Sequence, residues 1–325
     1  MDTALLEQEY GVSILSVKEV QGGWSARAFL LETDAGRRFL KLYDRHRPTA
    51  ASWIARIDNY APAMAALWGN PRLRGRMPEL LPTKAGNCKV QDADFVYLLF
   101  DYIDGPTLRE EPLDAAQTER LGEIVGALHS LVPPYPFPTG SMAEDFSLPF
   151  GQKLLDALGR LDSMPTTLQL LLGRYREQLK WSVRELLRLL ADVRVPCERL
   201  GLCHTDIHGG NIMLDGDGNL VLLDWEGLCI APVEADFFDL SAEPLFGAFL
   251  KGYSRFVPGY VPDPDLIRFY RLRRRLEDIW EFVAQLLYDN PDGETERDAL
   301  YYMERDLRWL EEQMEKGDAL LYTIK

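Results

Sequence analysis

"HTDIHGGNIMLDGDGNLVLLDWEG", residues 204–227, packs two histidines, two asparagines and five acidic residues into one short stretch. Its reading decides the fold. A calcium loop, a histidine metal site and a device for moving phosphate each match part of it.

The calcium reading puts Asp215, Asp217, Asn219 and Glu226 at positions 1, 3, 5 and 12 of an EF-hand loop. Such a loop needs glycine at position 6 for its sharp turn. Leu220 stands there, inside "NLVLLD", which has the texture of a strand, and position 9 is the apolar Leu223. "DGDGN" is better read as a hairpin turn. His204 and His208 lie four apart, but the glutamate of a helical zinc motif is missing from its place, and Gly209 and Gly210 oppose a helix.

The phosphate reading takes the acids and the asparagine together. Asp206 precedes Asn211 by five residues, and Asn211 precedes Asp224 by thirteen. This is the order of a kinase-type catalytic loop followed by a metal-binding aspartate at a strand end. A hydroxyl nucleophile needs a carboxylate to orient it and accept its proton, the role expected of Asp206. Magnesium prefers oxygen ligands, which Asn211 and Asp224 offer. The intervening hairpin returns the chain to the same place. His204 is expected to fix the loop by hydrogen bonding. No serine sits on a G-x-S-x-G turn, which disfavours a hydrolase triad.

The rest of the 325 residues sets limits. Asp and Glu number 51 against 36 Lys and Arg, a net charge of −15. That balance repels nucleic acid and acidic membranes and favours a cationic ligand, although it also serves plain solubility. Cys88, Cys197, Cys203 and Cys229 form no close pair, so neither a zinc site nor a disulfide framework is indicated. "MDTALLEQEYG" lacks the basic start and apolar block of a signal peptide, and no apolar run approaches the ~20 residues of a spanning helix. A cytoplasmic location is expected, with neither nucleic acid nor membrane as partner.

Residues 12–43 read as strands, with "ARAFLLET" and "RRFLKLY" flanking the turn "DAGR". Residues 50–68 read as helix despite Pro62, and "NCKVQDADFVYLLFDYI" as a second hairpin turning at 92–94. Beyond residue 105 the texture is mainly helical, with an apolar stripe from Leu168 to Leu190 and helical runs over 265–288 and 294–315. The class is α+β. A small antiparallel-sheet lobe (1–100) is followed by a connector (101–104) and a larger, mainly helical lobe (105–325), which carries an insertion at about 145–200.

At "HTDIHGGNIML…LVLLDWEG" the chain resembles the aminoglycoside phosphotransferase family, which shares the protein-kinase-like bilobal fold. Together with "YGVSILSVKEVQGGWSARAF" and "YRLRRRLEDIWEFVAQLL", it looks closest to the spectinomycin phosphotransferase branch. The resemblance implies an ATP- and Mg²⁺-dependent kinase acting on a hydroxyl of a cationic aminocyclitol or aminoglycoside, conferring resistance. A kinase of choline, homoserine or a methylthio-sugar is the nearby alternative, and a non-catalytic nucleotide-binding module the distant one.

Further roles follow from the resemblance. Gly22 and Gly23 would let "QGGWS" approach the nucleotide phosphates, with Ser25 as a donor. Lys41 would hold the α/β-phosphates, and main-chain groups of Asp101 and Ile103 the adenine edge. The lysine's usual partner is a glutamate on the first helix, but no glutamate lies between Glu32 and Glu79, so Asp58 is the expected substitute. Asp236 resembles an acid that caps a helix and braces the catalytic loop. Glu226, Glu234, Asp239, Asp278 and Glu281 are candidates for receiving a cationic acceptor, with Trp225, Phe237 and Trp280 as apolar walls.

Overall fold

The computed structural model describes residues 1–316 apart from 110, 194, 196, 243 and 290, so the last stretch of the expected second lobe, 317–325, lies outside the described residues. Helix α1 (Thr3–Tyr10) is capped by the Asp2 side chain, which accepts from the Leu5 amide. Strands β1 (Ile14–Val20), β2 (Arg27–Thr33) and β3 (Gly36–Asp44) follow, then α2 (Ala50–Trp68), β4 (Val90–Gln91) and β5 (Phe95–Asp101). These strands form one antiparallel sheet in the order β1-β2-β3-β5-β4. Both expected hairpins are present. The β2–β3 turn closes on Thr33 and Gly36, where φ is +100°, a value that favours glycine.

Strand alternation sorts the sheet's two faces. Leu40 and Leu42 of β3 point into a core with Leu6, Phe29, Leu31 and Leu99. Lys41 and Tyr43, being odd-numbered, share the opposite face.

Next come α3 (Ala115–His129), α4 (Pro149–Leu158), α5 (Thr166–Arg174) and α6 (Arg176–Asp192). The apolar stripe read over 168–190 is therefore two helices, broken at Tyr175, and Leu187 at its end is exposed. Strands β6 (Leu200–Cys203), β7 (Ile212–Leu214), β8 (Leu220–Leu222) and β9 (Cys229–Pro232) make two small antiparallel ribbons, β6–β9 and β7–β8. Helices α7 (Phe246–Tyr253), α8 (Pro264–Tyr288) and α9 (Gly293–Lys316) complete the order.

The chain divides into two compact units. One comprises Met1–Glu144 with Glu198–Val261, so the expected boundary at 101–104 falls inside it. In this unit α3 packs on α7. The other comprises Asp145–Cys197 with the chain from Pro262 onward, where α8 packs against α4, α6 and α9. Among the described residues no helix is long and apolar enough to cross a membrane.

Candidate active site

The loop between β6 and β7 is held from beneath. Asp236 accepts from the main-chain amides of His204 (3.0 Å) and Thr205 (2.5 Å), and its Oδ2 lies 2.9 Å from His129 Nε2. It braces the loop from within a 3₁₀ turn (Val233–Asp236) and does not cap a helix. Thr205 needs such bracing. Its φ is +69°, a left-handed conformation unfavourable for a β-branched residue. Its hydroxyl also donates to the Gly227 carbonyl at 3.0 Å.

His204 is fully buried and links two segments. Its Nδ1 accepts from the Asp206 amide at 3.2 Å, and its Nε2 lies 2.7 Å from the Leu223 carbonyl. This pattern fits the neutral tautomer with the proton on Nε2. Burial holds its pKa below the ordinary histidine value despite the nearby Asp236 and Asp206.

Asn211 donates from Nδ2 to the carbonyl and to the Oδ2 of Asp206, each at 2.9 Å. Its own main-chain carbonyl accepts from Leu223 at 2.7 Å, which brings residue 211 beside residue 224. Between them "DGDGN" is a turn. Asp215 Oδ1 accepts from the amides of Asp217 (3.0 Å) and Asn219 (2.7 Å), while Oδ2 accepts from the Asn219 side chain. Those oxygens are committed to the turn, which removes the calcium reading.

Asp224 has φ of +60° and presents Oδ1 to Lys41 Nζ at 2.8 Å. Glu226 Oε1 reaches the same ammonium at 2.6 Å. Burial disfavours charge on Lys41, but the two carboxylates outweigh it and hold the pKa above the usual lysine value. Burial likewise opposes ionisation of Asp224, yet Lys41 keeps that pKa below the ordinary aspartate value. At Glu226 burial wins and the pKa is raised.

The glycine loop closes the site from the β1–β2 side. A Cβ on Gly23 would stand 3.5 Å from Asp224 Oδ2, and one on Gly22 only 2.9 Å from the Ala26 carbonyl. Ser25 beside them is buried. In the connector, the Asp101 amide donates to the Glu79 carbonyl at 3.0 Å. No described main-chain hydrogen bond uses Ile103.

Several expected residues stand elsewhere. Asp58 is exposed and pairs with Lys89 at 2.7 Å, not with Lys41. The reason is helical phase: Ile57, Tyr60, Ala61 and Met64 form the buried side of α2, and Asp58 falls on the solvent side. Glu226 is 7% exposed and spent on Lys41, so it does not face an acceptor. Glu234 is fully buried with Arg199 and Tyr260. Trp225 is buried edge-on to His204, its Nε1 donating to the Leu222 carbonyl at 2.7 Å. Phe237 lies in a buried cluster with Phe249 and Tyr253. None of these four walls a binding surface. Asp239 is half-buried. Asp278, paired with Arg274 at 2.9 Å, Glu281 and Trp280 belong to the second unit.

The sequence reading missed two groups. His129 is one, and nothing local in "GALHSL" announces its role. Tyr43 is the other. Its hydroxyl donates to Glu226 at 2.5 Å, and strand alternation from Lys41 would have placed it on the lysine's face.

Comparison with known proteins bears on the family and the fold. A model of the phosphotransferase enzyme family matches residues 16–270. Protein StrN of Streptomyces griseus is 27% identical over 247 residues, spanning 71% of this chain and 70% of that protein. A spectinomycin phosphotransferase, solved in complex with ADP and spectinomycin, superposes with a TM-score of 0.72 at 18% identity, covering 95% of this chain and 97% of the other. A microcompartment-associated aminopropanol kinase gives 0.59 at 19% identity, covering 97% and 98%. At such identities the structural likeness establishes the kinase-like phosphotransferase fold.

Proposed function

The chain belongs to the phosphotransferase enzyme family, and from that premise we propose that it transfers the γ-phosphoryl group of ATP to a hydroxyl of a cationic aminocyclitol or aminoglycoside. The observation that carries this reading is the convergence of Asp206, Asn211, Asp224 and Lys41 within the first unit, linked by hydrogen bonds and an ion pair.

In this reading Asp206 orients the acceptor hydroxyl and accepts its proton. The hydroxyl oxygen forms a bond to the γ-phosphorus, the bond to the β–γ bridging oxygen breaks, and ADP leaves. Asn211 keeps Asp206 in place, and Lys41 binds the α/β-phosphates. The glycines at 22 and 23 leave room for those phosphates, and the Asp101 carbonyl and Ile103 receive the adenine edge. Alignment and electrostatics supply most of the acceleration in such transfers.

The donor set fits Mg²⁺. Asp224 offers carboxylate oxygen. Both described hydrogen bonds of the Asn211 side chain leave through Nδ2, which keeps its amide oxygen for another partner. When bound, Mg²⁺ would neutralise phosphate charge.

A cationic acceptor is supported by the net charge of −15 and by the fold shared with the spectinomycin-bound enzyme. With Glu226, Glu234 and Trp225 withdrawn, the acids of the first unit left to meet it are Asp239 and Asp206 itself. Resistance to the antibiotic would be the consequence. A second reading, supported by the fold shared with the aminopropanol kinase, keeps the chemistry and takes a small amino alcohol. Turnover with spectinomycin, a panel of aminoglycosides and small amino alcohols, each product weighed for an added phosphate, decides between them. Phosphorylation of amino alcohols alone would overturn the antibiotic reading. ATP binding without phosphate transfer to any of them would point to a nucleotide-binding module.

A further inference from the structure

Lys41 touches two carboxylates, and they are held differently. Asp224 stands at the start of a 3₁₀ turn (Trp225–Gly227), with its second oxygen towards the glycine loop. Glu226 sits deeper, within that turn. Its Oε1 accepts from Lys41 at 2.6 Å and from the Tyr43 hydroxyl at 2.5 Å. The Tyr43 oxygen lies 3.2 Å from the Tyr60 hydroxyl. Tyr43 donates to the glutamate, so the consistent direction has Tyr60 donating to Tyr43. Both tyrosines are almost entirely buried. The result is one chain of hydrogen bonds running from α2 through β3 to the turn behind Asp224.

Burying a carboxylate and two hydroxyls is unfavourable unless each finds a partner. Here they partner one another, and the chain ends on an ammonium. Links of this kind strengthen each other in a low-dielectric interior. Helix α2 brings no acid to Lys41, because Asp58 faces solvent and Lys89. What α2 does bring to this network is the Tyr60 hydroxyl.

We propose that Tyr43 and Tyr60 are positioning residues that act through Glu226: together they anchor Lys41 at the height of the nucleotide phosphates, so that Asp224 can exchange the lysine for the nucleotide's metal while the lysine stays in place. The inference rests on the phosphotransfer reading and adds to it what fixes the lysine. Glu226 is thereby an anchor and not an acceptor contact. Tyr43 and Tyr60 touch neither nucleotide nor acceptor.

The test is calorimetric binding of ATP and of adenosine to the full chain, without and with Mg²⁺. The variants are Glu226→Gln, Tyr43→Phe, Tyr60→Phe and the double variant Tyr43→Phe/Glu226→Gln. Each substitution keeps the side chain's volume, and melting temperature is recorded alongside. Glu226→Gln should weaken ATP about tenfold or more, the scale of a lost charge-assisted hydrogen bond. Tyr43→Phe should weaken it several-fold, roughly threefold to tenfold, and Tyr60→Phe less. Adenosine has no phosphate for Lys41 to hold, so its affinity should stay within about twofold of wild type. In the Glu226→Gln background Tyr43→Phe should add nothing to the ATP loss, because its effect passes through the glutamate.

Wild-type ATP affinity in Tyr43→Phe and Tyr60→Phe, whatever happens to their melting temperatures, would overturn the proposal. So would equal losses for ATP and adenosine, or fully additive effects in the double variant. A wild-type chain that binds no ATP would overturn the phosphotransfer reading itself and the anchor with it. Binding in the wild type that is unchanged in the variants removes the anchor alone.

Discussion

Asn211 clamps Asp206 twice, donating to its main-chain carbonyl and to its carboxylate Oδ2, each at 2.9 Å. The same asparagine is tied through its own carbonyl to Leu223, next to Asp224. The proposed base and the proposed metal ligands are thus parts of one hydrogen-bonded piece. Removing the base should therefore damage chemistry more than binding. Asp206→Asn keeps the shape, and kcat is expected to fall ~10²–10⁴-fold with ATP affinity nearly unchanged. Steady-state turnover with the acceptor identified by mass, set beside ATP calorimetry, checks this. Normal turnover in the variant would refute the assignment.

Asp58 gives the opposite expectation. It forms an ion pair with Lys89 on the solvent side of α2, and its side chain is 72% exposed. Exposed pairs of this kind contribute about 0–1 kcal/mol. Asp58→Ala should leave ATP affinity within about twofold of wild type and lower stability by no more than ~1 kcal/mol. ATP titration and urea denaturation measure the two quantities. A tenfold loss of ATP affinity would restore Asp58 as the lysine's partner.

Why Asp58 lies away from Lys41 while Asp206, Asn211 and Asp224 lie together is a matter of what spacing encodes. Within 204–227 the contacts are local, and a two-strand hairpin forces residues 211 and 224 together, so linear order predicts proximity. The strands and hairpins of the first hundred residues were legible for the same reason: alternation and turn residues are short-range signals. The partners of Lys41, Asp224 and Glu226, are 183 and 185 residues away, and no local pattern marks the pairing. Counting acids on α2 found Asp58, whereas helical phase, also readable from Ile57, Ala61 and Met64, would have put it in water. Three of the acceptor candidates rest on composition and turn out to be buried. Glu226, Glu234 and Trp225 lie in an acid- and aromatic-rich stretch, but that stretch is largely buried, and sequence does not reveal which acids are consumed by internal partners. The break at Tyr175 escaped because its apolar side chain continues the stripe it interrupts.

The glycine loop should respond differently at its two positions. A methyl group on Gly22 would meet the Ala26 carbonyl at 2.9 Å, closer than real Cβ contacts, so the loop's backbone must shift. On Gly23 it would lie 3.5 Å from Asp224 Oδ2, an ordinary contact that the fold tolerates but that fills the space facing the aspartate. Gly23→Ala is expected to keep the wild-type melting temperature and to raise the KM for ATP about tenfold or more, while Gly22→Ala lowers the melting temperature as well. Thermal melts and ATP-dependent kinetics separate the two. A Gly23→Ala enzyme with an unchanged KM would show that phosphates do not approach there.

His204 sets a pH dependence whose sign follows from its burial. Its folded pKa lies below the ordinary value of 6.5. Between the two values the unfolded chain binds a proton that the native state refuses, so stability rises with pH across that window and is lost as pH falls below about 6.5. A proton forced onto the ring would also take Nδ1 from the Asp206 amide, loosening the loop that carries Asp206. One proton gives a slope of at most about 1.4 kcal/mol per pH unit. His204→Gln retains a donor for the Leu223 carbonyl and does not titrate. Urea denaturation of both proteins from pH 7 to pH 5 should give a steeper loss in the wild type, the acids common to both cancelling in the difference. Parallel curves would mean that His204 takes up its proton as readily in the native state as in the unfolded one, and the neutral bridge between Asp206 and Leu223 would have to be abandoned.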